Sequence, residues 1–423
     1  MKKLYTILLT ALVMMTGCEK SNINDMELPQ EENTGVPFLI GSGTETFAYP
    51  INQIVVQYDA LLSEADKQLL RDQYGVATYK NCTCADPTLE LWIFNLDRNG
   101  NLPNGNSLEE TVLGAKEETE LEAAEVNPTF QHMGQKLNVS FGLEDMAAAI
   151  MNVVPSNNNV TIAVLDTGVD YNYFGFENPF LYNSQSNHNA CTDNGMDDIF
   201  GWDFVNEDNN PFDDYGHGTI ITSLIYNKLT ELNIDFQILP VKAFNQNGKG
   251  AYFDILCGLK YAINKEGVDV INMSFGWYNT NYELLHRFIV ESEDKVMLVS
   301  SAGNDYENND QIPHYPSSYN VSNSLSIAAI NNRPFNVALA SFSNHGVNSV
   351  DIAAIGEEIP FYITPYDFIE VSGTSYSNAF ASAFSGQLFE PGMSPQQLKA
   401  LVLSNTMQHN SLALIRYQSY IYY

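Results

Sequence analysis

The sequence predicts a doubly wound α/β fold with a mostly parallel sheet, preceded by a small α+β domain. Three observations carry this. Nearly unbroken apolar runs recur at 160–165, 236–241, 268–275, 296–300 and 325–330, the pattern of strands buried on both faces of a parallel sheet. Segments with helical spacing, such as 252–264 and 282–292, lie between them, and alternating buried strands and helices imply crossover connections. Residues suited to catalysis, Asp166, His217, Asn304 and Ser375, stand just beyond such runs or at helix starts, where open α/β sheets place their ligand chemistry.

The 423 residues suffice for two or three domains, and 44% apolar with 12% aromatic residues supports a large core. Acidic residues outnumber basic ones 51 to 19, a net charge of −32, so nucleic acid is excluded as a partner on charge grounds. Lys2 and Lys3 precede an apolar run over 4–15 that is too short to span a bilayer. It ends at Met15-Thr16-Gly17-Cys18. This ending resembles the lipobox of bacterial lipoproteins, which implies a signal peptide over 1–17, lipidation of Cys18 and a cell-envelope location anchored to the membrane. The alternative is an ordinary secretion signal; export is expected under both. Cys82, Cys84, Cys191 and Cys257 remain, and the sequence assigns them neither disulfides nor a metal.

Residues 18–50 are polar, rich in Asn, Glu, Gly and Pro, and read as a tether. A β-branched run at 53–58, a helical pattern behind a Ser cap at 63–73, a strand-like run at 89–96, a helix at 107–116 and a closing strand at 119–126 follow. Glu110 stands three residues beyond the candidate cap Ser107. This order gives a compact α+β domain over 51–133.

Asp166 directly follows the 160–165 run; a turn or cap role is the competing reading. His217 lies in Asp214-Tyr-Gly-His-Gly-Thr219, between glycines and ahead of an apolar run. Ser375 lies in Val371-Ser-Gly-Thr-Ser-Tyr-Ser377, ahead of a stretch of Ala, Ser and Phe whose helix must be tightly enclosed. At that helix's first turn the dipole favours developing negative charge. Ser377 stands where a G-x-S-x-G elbow needs glycine, so that motif is absent. Asn304 ends Val299-Ser-Ser-Ala-Gly-Asn304 and can donate its amide to an oxyanion, or be a turn residue.

Taken together, Ile162-Ala-Val-Leu-Asp-Thr-Gly-Val-Asp170, Gly216-His-Gly-Thr219, Gly267-Val-Asp-Val-Ile-Asn-Met-Ser-Phe-Gly276, Ser301-Ala-Gly-Asn304 and Ser372-Gly-Thr-Ser375 resemble the subtilisin-like (S8) serine peptidases, in that family's order. The resemblance implies a peptidase domain over 140–423. Ser375 would be its nucleophile, His217 the general base, Asp166 the orienting carboxylate and Asn304 an oxyanion donor. It further implies two strands flanking a peptide or protein substrate, Gly248-Lys249-Gly250 and Ser274-Phe275-Gly276. The 51–133 domain would be a ferredoxin-like inhibitory propeptide, cut autocatalytically between Asn127 and Phe141, with a permanent N-terminal domain as the alternative. On cutting, the lipid at Cys18 would hold the propeptide and the mature enzyme could leave the membrane. No cofactor is required. Calcium is the one metal the resemblance allows, through Asp193, Asp197 and Asp198, against the reading of a solvated acidic loop.

The chain departs from the family at Ala379, where proline is usual, and at Ile220, where histidine is usual. Neither belongs to the proton-transfer chain. A retained fold without activity would predict loss of one of the four catalytic residues, and none is lost. General degradation and dedicated maturation of one partner are equally open.

Overall fold

The computed structural model describes residues 38–40 and 48–422, apart from 83, 104, 133, 135, 138, 155–159, 184–190, 194, 195, 334 and 335. The expected signal peptide over 1–17 and Cys18 lie outside the described residues. Of the expected tether, Phe38–Ile40 pairs antiparallel with Ala48–Pro50. Among the described residues no helix is long and apolar enough to cross a membrane.

The first compact layer is an antiparallel four-stranded sheet. Its strands are β1 (Gln53–Tyr58), β2 (Thr78–Asn81), β3 (Leu89–Ile93) and β4 (Leu121–Val126), in the order β2-β3-β1-β4. Helices α1 (Glu64–Tyr74) and α2 (Leu108–Lys116) complete a β-α-β-β-α-β unit. Both helices start on serine caps. Ser63 accepts from the Asp66 N–H, and Ser107 forms the expected capping box with Glu110. The expected order had one strand fewer, because β2 is an exposed edge with no apolar alternation.

Both faces of this sheet are buried. Ile54, Val56, Tyr58 and Trp92 pack against α1 and α2 with Leu70, Leu108 and Ala115. The alternate residues Val55, Leu89, Leu91 and Ala123 join the core of the following domain. A solvated second face is the usual state of an antiparallel sheet, so these residues require a partner.

That partner is built on a nine-stranded sheet. The strands needed below are β5 (Thr129–Gln131), β6 (Val160–Asp166), β7 (Trp202–Asp203), β8 (Phe236–Lys242), β9 (Lys249–Ala251), β10 (Val270–Met273), β11 (Met297–Ser301), β12 (Ser324–Ile330) and β13 (Ile352–Ile355), of which β5 and β9 lie outside the large sheet. β7-β8-β6-β10-β11-β12-β13 run parallel in that order, and an antiparallel pair from 407–408 and 419–420 closes one edge. The chain leaves β6 to one side for β8 and returns to its other side for β10, so β6 is the topological switch point. Ile162 and Val164 point to a layer containing α3 (His217–Glu231) and α6 (Thr374–Leu388). Ala163 and Leu165 point to the layer of α4 (Tyr252–Asn264) and α5 (Glu283–Glu291), against which the first sheet also packs.

Helices α4 and α5 lack side-chain caps from their own N-cap residues, Ala251 and Tyr282. The end of β4 supplies them. Asn127 Oδ1 accepts from the Phe253 N–H at 2.9 Å. Glu125 accepts from the Glu283 N–H at 2.6 Å, the Leu284 N–H at 3.2 Å and the Tyr252 hydroxyl at 2.8 Å. Burial pushes the Glu125 carboxyl up, and these donors pull it back. Each helix start carries orphan N–H groups and positive potential, so removing the acceptors leaves buried donors unpaired. We therefore expect Asn127→Ala to lower the unfolding free energy by about 0.5–2 kcal/mol and Glu125→Ala by more. Urea unfolding in a Ser375→Ala background, which keeps the chain whole, measures both.

Candidate active site

Asp166 ends β6 with no exposure at all, and His217 opens α3 equally buried. His217 Nδ1 lies 2.9 and 3.0 Å from the two Asp166 carboxylate oxygens. Two glycines permit this approach. A Cβ on Gly218 would fall 2.2 Å from the Gly168 carbonyl oxygen, and Gly216 has φ +106°. The first turn of α3 is satisfied by Asp213, which accepts from the Gly216 and Thr219 N–H groups, and by Thr167 Oγ1, which accepts from the Gly218 N–H. Burial alone would raise the Asp166 pKa. The adjacent His217 and His132 rings and their hydrogen bonds outweigh it, so the group is held well below the usual carboxylate range. It stays ionised and fixes the imidazole orientation.

Ser375 lies in the first turn of α6, on the α3 side of the sheet. Its Oγ donates to the Ser274 carbonyl at 3.1 Å, while His217 Nε2 is buried without a hydrogen-bond partner. Ser375 Oγ and His217 Nε2 are therefore not hydrogen-bonded to one another in this state. Asn304 follows β11. Its Oδ1 accepts from the Thr374 N–H at 2.8 Å and from Thr374 Oγ1 at 2.9 Å. Because a backbone N–H must donate, that contact fixes the amide and leaves Nδ2 as the donating end toward the Ser375 turn.

The cleft holds a segment of the same chain. β5 pairs antiparallel with β9, with Gln131 opposite Lys249 and Phe130 opposite Gly250. The His132 N–H donates to the Gly248 carbonyl at 2.6 Å, and the Tyr252 N–H to the Pro128 carbonyl at 2.8 Å. Gly248, Lys249 and Gly250, expected to flank a peptide substrate, here pair with residues 130–132 of the same chain. Ser274, Phe275 and Gly276 follow β10, where the Ser274 carbonyl accepts from Ser375 Oγ and the Phe275 ring lies 5.1 Å from that of Phe244. Phe130 stacks on Trp277 at 3.9 Å and meets Tyr252 and Tyr282 edge-on. The chain then passes over His217. A Cβ on Gly134 would stand 1.9 Å from the His217 ring, so only glycine fits. The Gly134 carbonyl accepts from the Tyr215 hydroxyl at 2.8 Å, and the Leu137 N–H donates to the Tyr215 carbonyl.

His132 was not among the residues expected at the site. Its ring centroid is 3.9 Å from that of His217, and its Nε2 lies 3.5 Å from Asp166 Oδ2. The Gly134 N–H donates to its Nδ1 at 2.9 Å, which places the proton of the neutral ring on Nε2, facing the carboxylate. Burial, then the neighbouring His217, lowers its pKa. Nothing local marks this histidine in the sequence. The signal was its position inside the expected cleavage window.

Of the proposed calcium ligands, Asp198 accepts from the Tyr261 hydroxyl and from Lys265 Nζ at 2.5 Å. The lysine already supplies the positive charge an ion would bring, so this carboxylate fits calcium poorly. The side chains of Asp193 and Asp197 lie outside the described residues. The only cluster of metal-type ligands among the described residues is His132, Asp166 and His217, the site itself.

Residues 157–418 match the Peptidase_S8 model, described as the subtilase family. Cell wall-associated protease of Bacillus subtilis (strain 168) is 33% identical over 55% of this chain and 24% of its own length. Thermitase of Thermoactinomyces vulgaris is 28% identical over 59% of this chain and 81% of its own. Minor extracellular protease Epr of Bacillus subtilis (strain 168) is 31% identical over 53% of this chain and 31% of its own. The chain thus spans less than a third of the length of two of these relatives. With a match running from β6 beyond Ser375 and taking in all four expected catalytic residues, the chain belongs to the subtilase family.

Proposed function

We propose that this chain is a serine endopeptidase, exported and lipid-anchored through Cys18, and made as a self-processing zymogen. The observation that carries the reading is the buried Asp166–His217 pair, crossed by an uncut strand of the chain's own backbone, with the His217 ring 5.8 Å from that of Tyr376, the neighbour of Ser375. Ser375 Oγ attacks a scissile carbonyl as its proton passes to His217 Nε2. The ionised Asp166 stabilises the imidazolium, which then protonates the leaving amine. The Asn304 amide and the Ser375 backbone N–H receive the oxyanion. A second carbonyl attack, by water, releases the acid and restores the serine.

Residues 53–126 serve as the inhibitory domain, and the strand Thr129–Gln131 with His132 and Gly134 serves as its inhibitory tail. A peptide substrate adds to β9 in the same way, through backbone hydrogen bonds, which tolerate many sequences. The aromatic pocket around Phe130 favours substrates with an aromatic side chain at that place.

The test is reducing intact mass over time for the chain lacking residues 1–18. The parent should lose the segment before a bond between Asn127 and Phe141, while Ser375→Ala stays whole. If both stay whole, or both are cut alike, the reading fails. Asn304→Ala should lower kcat about 10²–10³-fold with little change in KM, the range known for removing the equivalent donor from a subtilisin. Steady-state kinetics on a chromogenic peptide decides it.

A further inference from the structure

The four cysteines beyond Cys18 form two bonds, Cys82–Cys257 and Cys84–Cys191. Cys82 and Cys84 follow the edge strand β2 of the first sheet; Cys257 lies in α4 of the family domain, and Cys191 precedes β7. Their sequence separations are 175 and 107 residues. Every bond from 127 to 141 lies between the two partners of each disulfide. Neither disulfide lies wholly on one side of that window. A staple serving either piece alone would join two residues of that piece; both of these join the two pieces.

We propose that processing does not release the inhibitory domain: it yields a two-chain molecule held by two disulfides, and thiol–disulfide exchange is the reaction that must follow. This rests on the zymogen reading for the cut itself. Hydrolysis consumes one water and breaks one C–N bond, leaving both disulfides intact. For each disulfide, a thiolate of a dithiol reductant attacks one sulfur, the S–S bond breaks and the departing sulfur takes a proton. The reductant's second thiol then resolves the mixed disulfide and leaves the reductant oxidised. Two electrons and two protons pass per disulfide, so two dithiols are consumed in all. Cys82, Cys191 and Cys257 are buried, whereas Cys84 is half-buried. Attack therefore begins at Cys84, and the Cys84–Cys191 bond opens first.

The tether matters because it keeps the inhibitor at high effective concentration. A free propeptide dissociates on dilution, whereas a linked one rebinds at a local concentration that dilution does not change. The noncovalent contacts remain after the cut. They include the buried face of Val55, Leu89, Leu91 and Ala123, the caps from Glu125 and Asn127, and the pair of Lys80 with Asp254 at 3.0 Å. With Cys18 lipidated, the cut peptidase also stays on the anchored chain until reduction, which reverses the expectation that cutting alone frees it.

The chain lacking residues 1–18 is allowed to process, alkylated, and compared with and without dithiothreitol. We expect one species, heavier than the precursor by one water, without reductant, and two fragments with it. Peptidase activity per enzyme should not rise on dilution without reductant, and should rise at least about a hundredfold in dilute solution with dithiothreitol. Fragments that part without reductant, alkylation of four thiols in the unreduced chain, or activity restored by dilution alone would each overturn the proposal. A chain that never cuts itself instead contradicts the zymogen reading. A site for an external protease inserted between Val139 and Ser140, both exposed, then makes the cut and tests retention by the same masses.

Discussion

The hydrogen-bonded pair of Asp166 and His217 is the constraint on which the rest of the structure depends. A fully buried carboxylate is stable only with charge and donors arranged around it, and each requirement fixes a piece of the fold. β6 must end at the switch point of the sheet, so that its last residue meets a helix start. α3 must approach within backbone contact of the loop after β6, hence glycine on both sides of the imidazole. The first turn of that helix needs acceptors other than Asp166, and Asp213 and Thr167 provide them. The same pair is shielded from water by the chain's own strand, with His132 presenting a second ring to the same carboxylate.

The first sheet and the family domain complete one another. Alternate residues of β1 face two different cores, and two helices of the family domain take their caps from Glu125 and Asn127. Burying both faces of an antiparallel sheet and borrowing caps across a boundary couple the two folding units. Severing the backbone between them removes none of these contacts.

How much of this was legible in the sequence follows from burial. Runs such as Val160 to Leu165 are apolar throughout because both faces are covered, and α4 matched its expected bounds because its apolar face repeats cleanly. The four residues expected to be catalytic stood out because each sits at a fixed place relative to such a run or to a helix start. Other features did not. β2 is exposed and polar, with nothing periodic to read. β5 is extended only because β9 pairs with it. The disulfide partners lie more than a hundred residues apart, and no spacing specifies them. His132 owes its place at the site to that same strand pairing, which is a tertiary fact. Glu125 reads as an ordinary acidic residue in a strand until the helix it caps is in place.

The most direct test of the account is labelling by a fluorophosphonate, which reacts only with a serine activated by its base. The uncut chain, with its own strand across His217, should label slowly or not at all. The cut and reduced chain should label fully, at Ser375 as located by peptide mapping, and His217→Ala should abolish it. Equal labelling before and after cutting would contradict the occupied cleft. No labelling in either state would contradict the catalytic assignment of Ser375 and His217.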